Sequence, residues 1–187
     1  TEIRNMKNVL LFLADGFEEI EALATVDVLR RAGVQVTTVS INPTELVTGA
    51  HGIPVMADVV YELAEFAEAD MLVLPGGMPG AANLDAHEGL RAAISAHAEA
   101  GKWLAAICAA PMVYGHMGLL NGKNATCYPG FESELAGAAY TAAPVEKDGN
   151  IITGKGPAVV LPFAYALAEV LVGEEVVAQV KAGMLYN

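Results

Sequence analysis

The sequence predicts an α/β domain of three layers, with a mostly parallel central sheet between two layers of helices. Short continuous apolar runs alternate with stretches that carry apolar residues at helical spacing. That is the pattern of β-α-β units whose strands are buried on both faces. Of the 187 residues, 54% are hydrophobic and only 17% are charged, which suits a covered sheet and argues against disorder. Glycine or a Gly/Pro loop punctuates the successive runs, as tight turns between packed elements require.

Val9-Leu10-Leu11-Phe12-Leu13 is the first strand, and Asp15-Gly16 breaks it. Residues 18–32 then place Ile20, Leu23, Ala24, Val28 and Leu29 at helical spacing, with Gly33 as the stop. Residues 34–41 form a second strand. This opening β-α-β unit needs a right-handed crossover in a parallel sheet. Residues 47–55, with Gly49 and Gly52 between β-prone neighbours, read as a small hairpin outside the main sheet. Met71-Leu72-Val73-Leu74 is a buried strand that ends in the rigid loop Pro75-Gly76-Gly77-Met78-Pro79-Gly80.

Residues 88–100 are helical up to Gly101, and 103–107 form a strand that runs into Cys108. A short helical segment over 112–117 follows. Residues 145–147 and 151–153 make a hairpin through Asp148-Gly149-Asn150, with Pro144 at its outer limit. Residues 158–171 and 174–181 are closing helices, and Pro162 lies near the start of the first, where proline is tolerated. One domain over 6–187 is expected, with 1–5 as an extension, native or left by cloning.

Composition removes several classes of function. Ten basic residues against 22 acidic ones give a net charge of −12. Arg30-Arg31 is the only basic pair, so a nucleic-acid surface is not expected. Two cysteines make no disulfide framework. No leader peptide is evident, and no apolar run reaches membrane-spanning length. The expected location is a reducing cytoplasm. His51, His87, His97 and His116 lack the spacing of metal ligands and read as surface or loop positions. No metal and no cofactor are expected.

Ligands in such sheets sit beyond the C-terminal ends of the strands. Three loops fall there: residues 15–21, Gly76-Gly77, and Cys108. In Ala105-Ala106-Ile107-Cys108-Ala109-Ala110-Pro111 a buried strand stops at one cysteine before a helix start. Amides at that turn favour thiolate, the reactive form, so the Cys108 pKa is expected to be lowered. Glu18 and Glu19 are explained by the dipole of the first helix. Glu21 lies in a stretch turning apolar. Desolvation and a nearby thiolate would raise its pKa and make it an acid/base partner. The amides of Gly76 and Gly77, with that of Ala109, are placed to form an oxyanion hole.

These segments resemble the DJ-1/PfpI (ThiJ) superfamily, in its DJ-1-like branch. The resemblance rests on Asp15-Gly16-Phe17-Glu18-Glu19-Ile20-Glu21, Val26-Asp27-Val28-Leu29-Arg30-Arg31-Ala32-Gly33 and Leu74-Pro75-Gly76-Gly77. It rests also on Ala106-Ile107-Cys108-Ala109-Ala110-Pro111, Cys127-Tyr128-Pro129-Gly130 and Thr153-Gly154-Lys155-Gly156-Pro157. It implies a flavodoxin-like sandwich and a homodimer. It also implies that Cys108 is an oxidation-prone nucleophile, that Glu21 is its protonated partner, and that the Gly77 and Ala109 amides line the oxyanion pocket.

Two departures bear on activity. Ala109 stands where the peptidase-like branch has histidine, and Tyr128 stands where DJ-1 has one. No triad transfers, so peptidase activity is not expected. Tyr128 is expected to border the substrate as a hydrogen-bond donor. Lys155 and Ala158 replace the arginine and glycine frequent in relatives. The expected function is cofactor-independent glyoxalase or deglycase chemistry on small 2-oxoaldehydes or glycated adducts. The alternative is redox sensing or chaperoning through Cys108 oxidation.

Overall fold

The computed structural model describes residues 6–187, and the expected extension over 1–5 lies outside the described residues. In chain order the strands are β1 (Asn8–Leu13), β2 (Gln35–Ser40), β3 (Leu46–Thr48), β4 (Pro54–Met56), β5 (Val59–Val60), β6 (Met71–Leu74), β7 (Trp103–Ile107), β8 (Asn124–Ala125), β9 (Ala139–Tyr140), β10 (Val145–Asp148) and β11 (Ile151–Gly154). The helices are α1 (Glu19–Arg31), α2 (Gly80–Ala86), α3 (Glu88–Glu99), α4 (Pro111–His116), α5 (Val160–Val172) and α6 (Glu174–Gly183).

Seven strands form the central sheet in the order β10-β11-β7-β6-β1-β2-β5. All neighbours are parallel except β10, which pairs antiparallel with β11 at one edge. Strand residues alternate between two cores, as a pleated sheet covered on both faces demands. Val9, Leu11 and Leu13 face α1 and α5, while Leu10 and Phe12 face the side of α2, α3 and α4. Chain order reverses between β1 and β6, so the loops after those strands diverge and leave a crevice at the carboxyl edge. β3 and β4 form a hairpin of their own, as expected. Among the described residues no helix is long and apolar enough to cross a membrane.

Four readings need correction. The apolar stripe of α1 is buried at Val28 and Leu29 as expected, but in the first turns Ile20 is 57% and Leu23 42% exposed, whereas Glu21 and Thr25 are buried. Apolar spacing alone could not show that the site draws a carboxyl inward. Residues 80–86 form α2, which is too short to display a period. His97 is buried at the end of α3 with its Nε2 unpartnered, not on the surface, and burial pushes its pKa down. The helix expected from 158 begins as a 3-10 turn over Pro157–Val159, and α5 follows from Val160.

Candidate active site

The strand order brings the three expected loops together, because β1, β6 and β7 are neighbours and end on the same edge. Cys108 follows β7 with φ of 67°, a left-handed conformation for a residue with a Cβ. Such a residue costs on the order of 1–3 kcal/mol and persists only where its surroundings fix it. Here the fixing groups are backbone. The Cys108 N–H donates to the Gly154 carbonyl at 2.9 Å, and the Cys108 carbonyl accepts from the Tyr128 N–H at 2.9 Å. The peptide is held from both sides, and the side chain turns toward the crevice at the start of α1.

Glu21 reaches the same place from the first turn of α1. Its side chain is fully buried. Oε1 accepts from the Gly76 N–H at 3.0 Å, and Oε2 is left without a hydrogen-bond partner of its own. The carboxyl lies against the Cys108 thiol. Gly76 permits this contact. A Cβ there would sit 2.6 Å from Cys108 Cβ and 2.7 Å from both Glu21 Oε1 and the Ile107 carbonyl. Gly76 therefore does not add its amide to an oxyanion pocket, as the sequence suggested, because that N–H is committed to Glu21. The amides of Gly77 and Ala109 do point at the sulfur. Gly77 is left-handed, with φ of 88°, and a Cβ on it would meet the backbone of residues 16–18.

Burial raises Glu21 to about 7, Glu18 adds to the rise, and hydrogen bonds from Cys108 and Gly76 act against it. A carboxyl in this position holds its proton near neutrality, as its apolar setting predicts. The expected lowering of Cys108 needs correction. Burial raises the thiol first, and an ionised Glu21 raises it further by charge and by accepting its proton; the Gly77 and Ala109 amides lower it but do not prevail. Both contributions of Glu21 depend on its being charged. A neutral Glu21 neither repels the thiolate nor takes its proton, and its O–H can donate to the sulfur. Thiol and carboxyl thus titrate as one coupled pair.

Glu18 and Glu19 stand at the N-terminus of α1, where acidic residues suit the helix dipole, but both are also buried and make further contacts. Glu18 is the N-cap of α1 and accepts from the Glu21 N–H at 2.8 Å. Glu19 accepts from the His51 N–H at 2.8 Å, from the Ile53 N–H at 3.3 Å, and pairs with His51 Nδ1 at 2.9 Å. Burial works to raise Glu19, but the His51 imidazole and these amides outweigh it and hold the carboxyl low. Glu18, Glu19 and His51 are close enough to suggest a metal site, with ligand atoms within 4.8 Å of one another. Sequence spacing could not show this, because the β3–β4 hairpin tip brings His51 from 32 residues away. Protein donors already occupy Glu19, so the group acts as a clamp between hairpin and helix.

The other histidines are engaged elsewhere. His87 caps α3, accepting from the Leu90 N–H, and His116 lies between Asp85 and Glu134. Among the described residues no imidazole contacts the Cys108 thiol. Tyr128 is 48% exposed, with its ring over Gly156. Cys127, next to it, is buried and pushed up to about 12, first by burial and then by Glu132.

A model of the DJ-1/PfpI family matches residues 7–170. This chain belongs to the DJ-1/PfpI family. Protein DJ-1 homolog B of Arabidopsis thaliana is 38% identical over 96% of this chain, which spans only 41% of that protein. A protein of Pyrococcus abyssi named a deglycase is 34% identical over 80% of this chain and 90% of its own length. Among solved structures, a cysteine-to-alanine mutant of a DJ-1 superfamily protein from Salmonella typhimurium superimposes with a TM-score of 0.93. It is 37% identical and covers 97% of this chain and 100% of its own.

The close approach at Gly76 leads to a test on reactivity. Gly76→Ala is expected to slow alkylation of Cys108 by iodoacetamide at least tenfold at neutral pH, because the new methyl displaces Glu21 or the thiol. A rate equal to wild type, with the fold retained by circular dichroism, would contradict that role.

Proposed function

We propose that this protein converts small 2-oxoaldehydes to 2-hydroxy acids, or releases the adducts such aldehydes form on amines and thiols. Cys108 is the nucleophile and Glu21 the proton carrier. The observation that supports this best is a buried carboxyl holding its proton near pH 7 against a cysteine flanked by two backbone amides. The name deglycase carried by the Pyrococcus relative is consistent with carbonyl chemistry.

The one-proton form of the pair, thiolate beside carboxylic acid, is the working state. The sulfur bonds to the aldehyde carbon, and Glu21 gives its proton to the aldehyde oxygen, yielding a hemithioacetal. The Glu21 carboxylate then takes the hydrogen on that carbon as a proton while the ketone oxygen gains one from water. This leaves an enediol. Glu21 returns its proton to the former ketone carbon as the other hydroxyl loses its own to water. The product is a thioester of a 2-hydroxy acid, in which one carbon has been oxidised and its neighbour reduced. Water cleaves the thioester and restores the thiolate and the acid. The Gly77 and Ala109 amides support the oxygen that carries charge in these steps.

The same surroundings support a second reading. Peroxide can oxidise the thiolate to sulfinate with release of water, and the two amides with the Glu21 proton would hold the new oxygens. Both readings are compatible with a homodimer. Ile20 and Leu23 on the outer side of α1 are exposed, as are Leu46, Ile53 and Met56 on the hairpin clamped to that helix. Several exposed apolar side chains on two adjoining elements are a liability unless covered.

Wild-type protein incubated with methylglyoxal is expected to yield lactate by NMR. Cys108→Ser should yield none, and Glu21→Gln should lose about a hundredfold or more, the usual value of a positioned acid/base. Equal lactate from Cys108→Ser would overturn the enzymatic reading. Cys108-specific gain of two oxygens under mild peroxide, with no lactate, would install the second. In light scattering a dimer is expected for wild type and a monomer for Ile20→Lys; a monomeric wild type would remove the dimer.

A further inference from the structure

The reaction above needs only the reacting carbons near sulfur, and it leaves open what else the site can hold. An apolar cleft of about 190 Å³ lies between the two segments that bracket the Cys108 backbone. Tyr128 and Pro129 form one wall, and residues 155–159, leading into α5, form the other. Both walls are tied to Cys108 itself. The Tyr128 N–H donates to the Cys108 carbonyl, and the Cys108 N–H donates to Gly154, the residue before the second wall. The cleft therefore keeps a fixed relation to the elbow.

Its lining is almost wholly apolar, so Lys155 contributes its aliphatic stem and keeps its ammonium outside. The Tyr128 ring lies over the backbone of Gly156, where an added Cβ would be 3.5 Å from the ring. Gly156 and Ala158 present no bulk, so the floor and far wall stay open. A methyl group leaves such a cleft nearly empty. A ring fits it, since apolar cavities of roughly 150 Å³ accept benzene.

We propose that this cleft receives the substituent on the ketone carbon, and that the site selects 2-oxoaldehydes bearing an aryl or branched alkyl group over methylglyoxal. The proposal rests on the 2-oxoaldehyde reading and adds a substrate class to it. Tyr128 acts as a specificity residue, offering a flat apolar face rather than a base. The covalent steps are those already written, with the larger group carried unchanged on the second carbon.

Two measurements test this. The first compares kcat/KM for phenylglyoxal and methylglyoxal in wild type and Ala158→Leu. The expected preference for phenylglyoxal is at least tenfold, the discrimination a hydrophobic pocket gives for small apolar increments, and filling the cleft should remove most of it. The second uses acetophenone, which has the ring and ketone but no aldehyde, with Cys108→Ser protein. Saturation-transfer NMR should label its ring protons, and Ala158→Leu or Gly156→Ala in the same background should weaken the signal.

Cys108-dependent turnover of methylglyoxal without a phenylglyoxal preference and without an acetophenone signal overturns the cleft proposal and leaves the reaction standing. Failure to turn over either aldehyde overturns the reaction. The acetophenone signal still decides the cleft: its loss on filling supports an apolar ligand site there, and its absence in Cys108→Ser overturns it.

Discussion

The contact between the Glu21 carboxyl and the Cys108 thiol is the constraint around which the carboxyl edge of this protein is arranged. Neither group can ionise without regard to the other, because both are buried and little water is available to screen them. Several otherwise costly features serve that contact. Cys108 carries a left-handed backbone, held by hydrogen bonds to Gly154 and Tyr128. Gly76 has no side chain because a Cβ would strike both partners. Glu18 spends one carboxylate oxygen on capping α1 at the Glu21 amide, which sets the register of the helix turn that carries the acid. The hairpin is drawn over the same turn by His51 and Glu19.

The fold was largely legible because its signals are redundant. Val9-Leu10-Leu11-Phe12-Leu13 and Met71-Leu72-Val73-Leu74 are too short for helices and too apolar for a one-sided sheet, and both are central strands. Elements too short to repeat their pattern convincingly are not legible, which is why α2, of seven residues, and the two-residue strands β5, β8 and β9 escape a reading from sequence. The facing of α1 departs from its apolar spacing for a different reason. Ile20 and Leu23 obey the hydrophobic pattern, but the helix turns Glu21 and Thr25 inward. A functional site overrides the pattern where it needs a polar group buried.

The site was legible as a set of loops and less so as a set of roles. Cys108, Glu21, Gly77 and Ala109 meet where the strand ends said they would. The role of Gly76 changed, since no sequence signal tells an amide aimed at a substrate from one aimed at a carboxylate. The clamp of Glu18, Glu19 and His51 joins distant segments, and only the folded hairpin reveals it. The ionisation of Cys108 differs from the sequence expectation because the helix-start amides are visible in sequence, whereas the depth of burial is not.

The central claim is that Cys108 and Glu21 share a single proton, with the acid form of Glu21 accompanying the thiolate. It is tested most directly by following the Glu21 side-chain carboxyl carbon by NMR against pH, in wild type and in Cys108→Ala. A neighbouring thiolate makes the carboxyl hold its proton, whereas a neighbouring thiol donates to the carboxylate and helps it ionise. The result expected is a Glu21 midpoint higher in wild type than in Cys108→Ala. A midpoint unchanged by the substitution, or higher in Cys108→Ala, would show that the sulfur stays a thiol and would contradict the account.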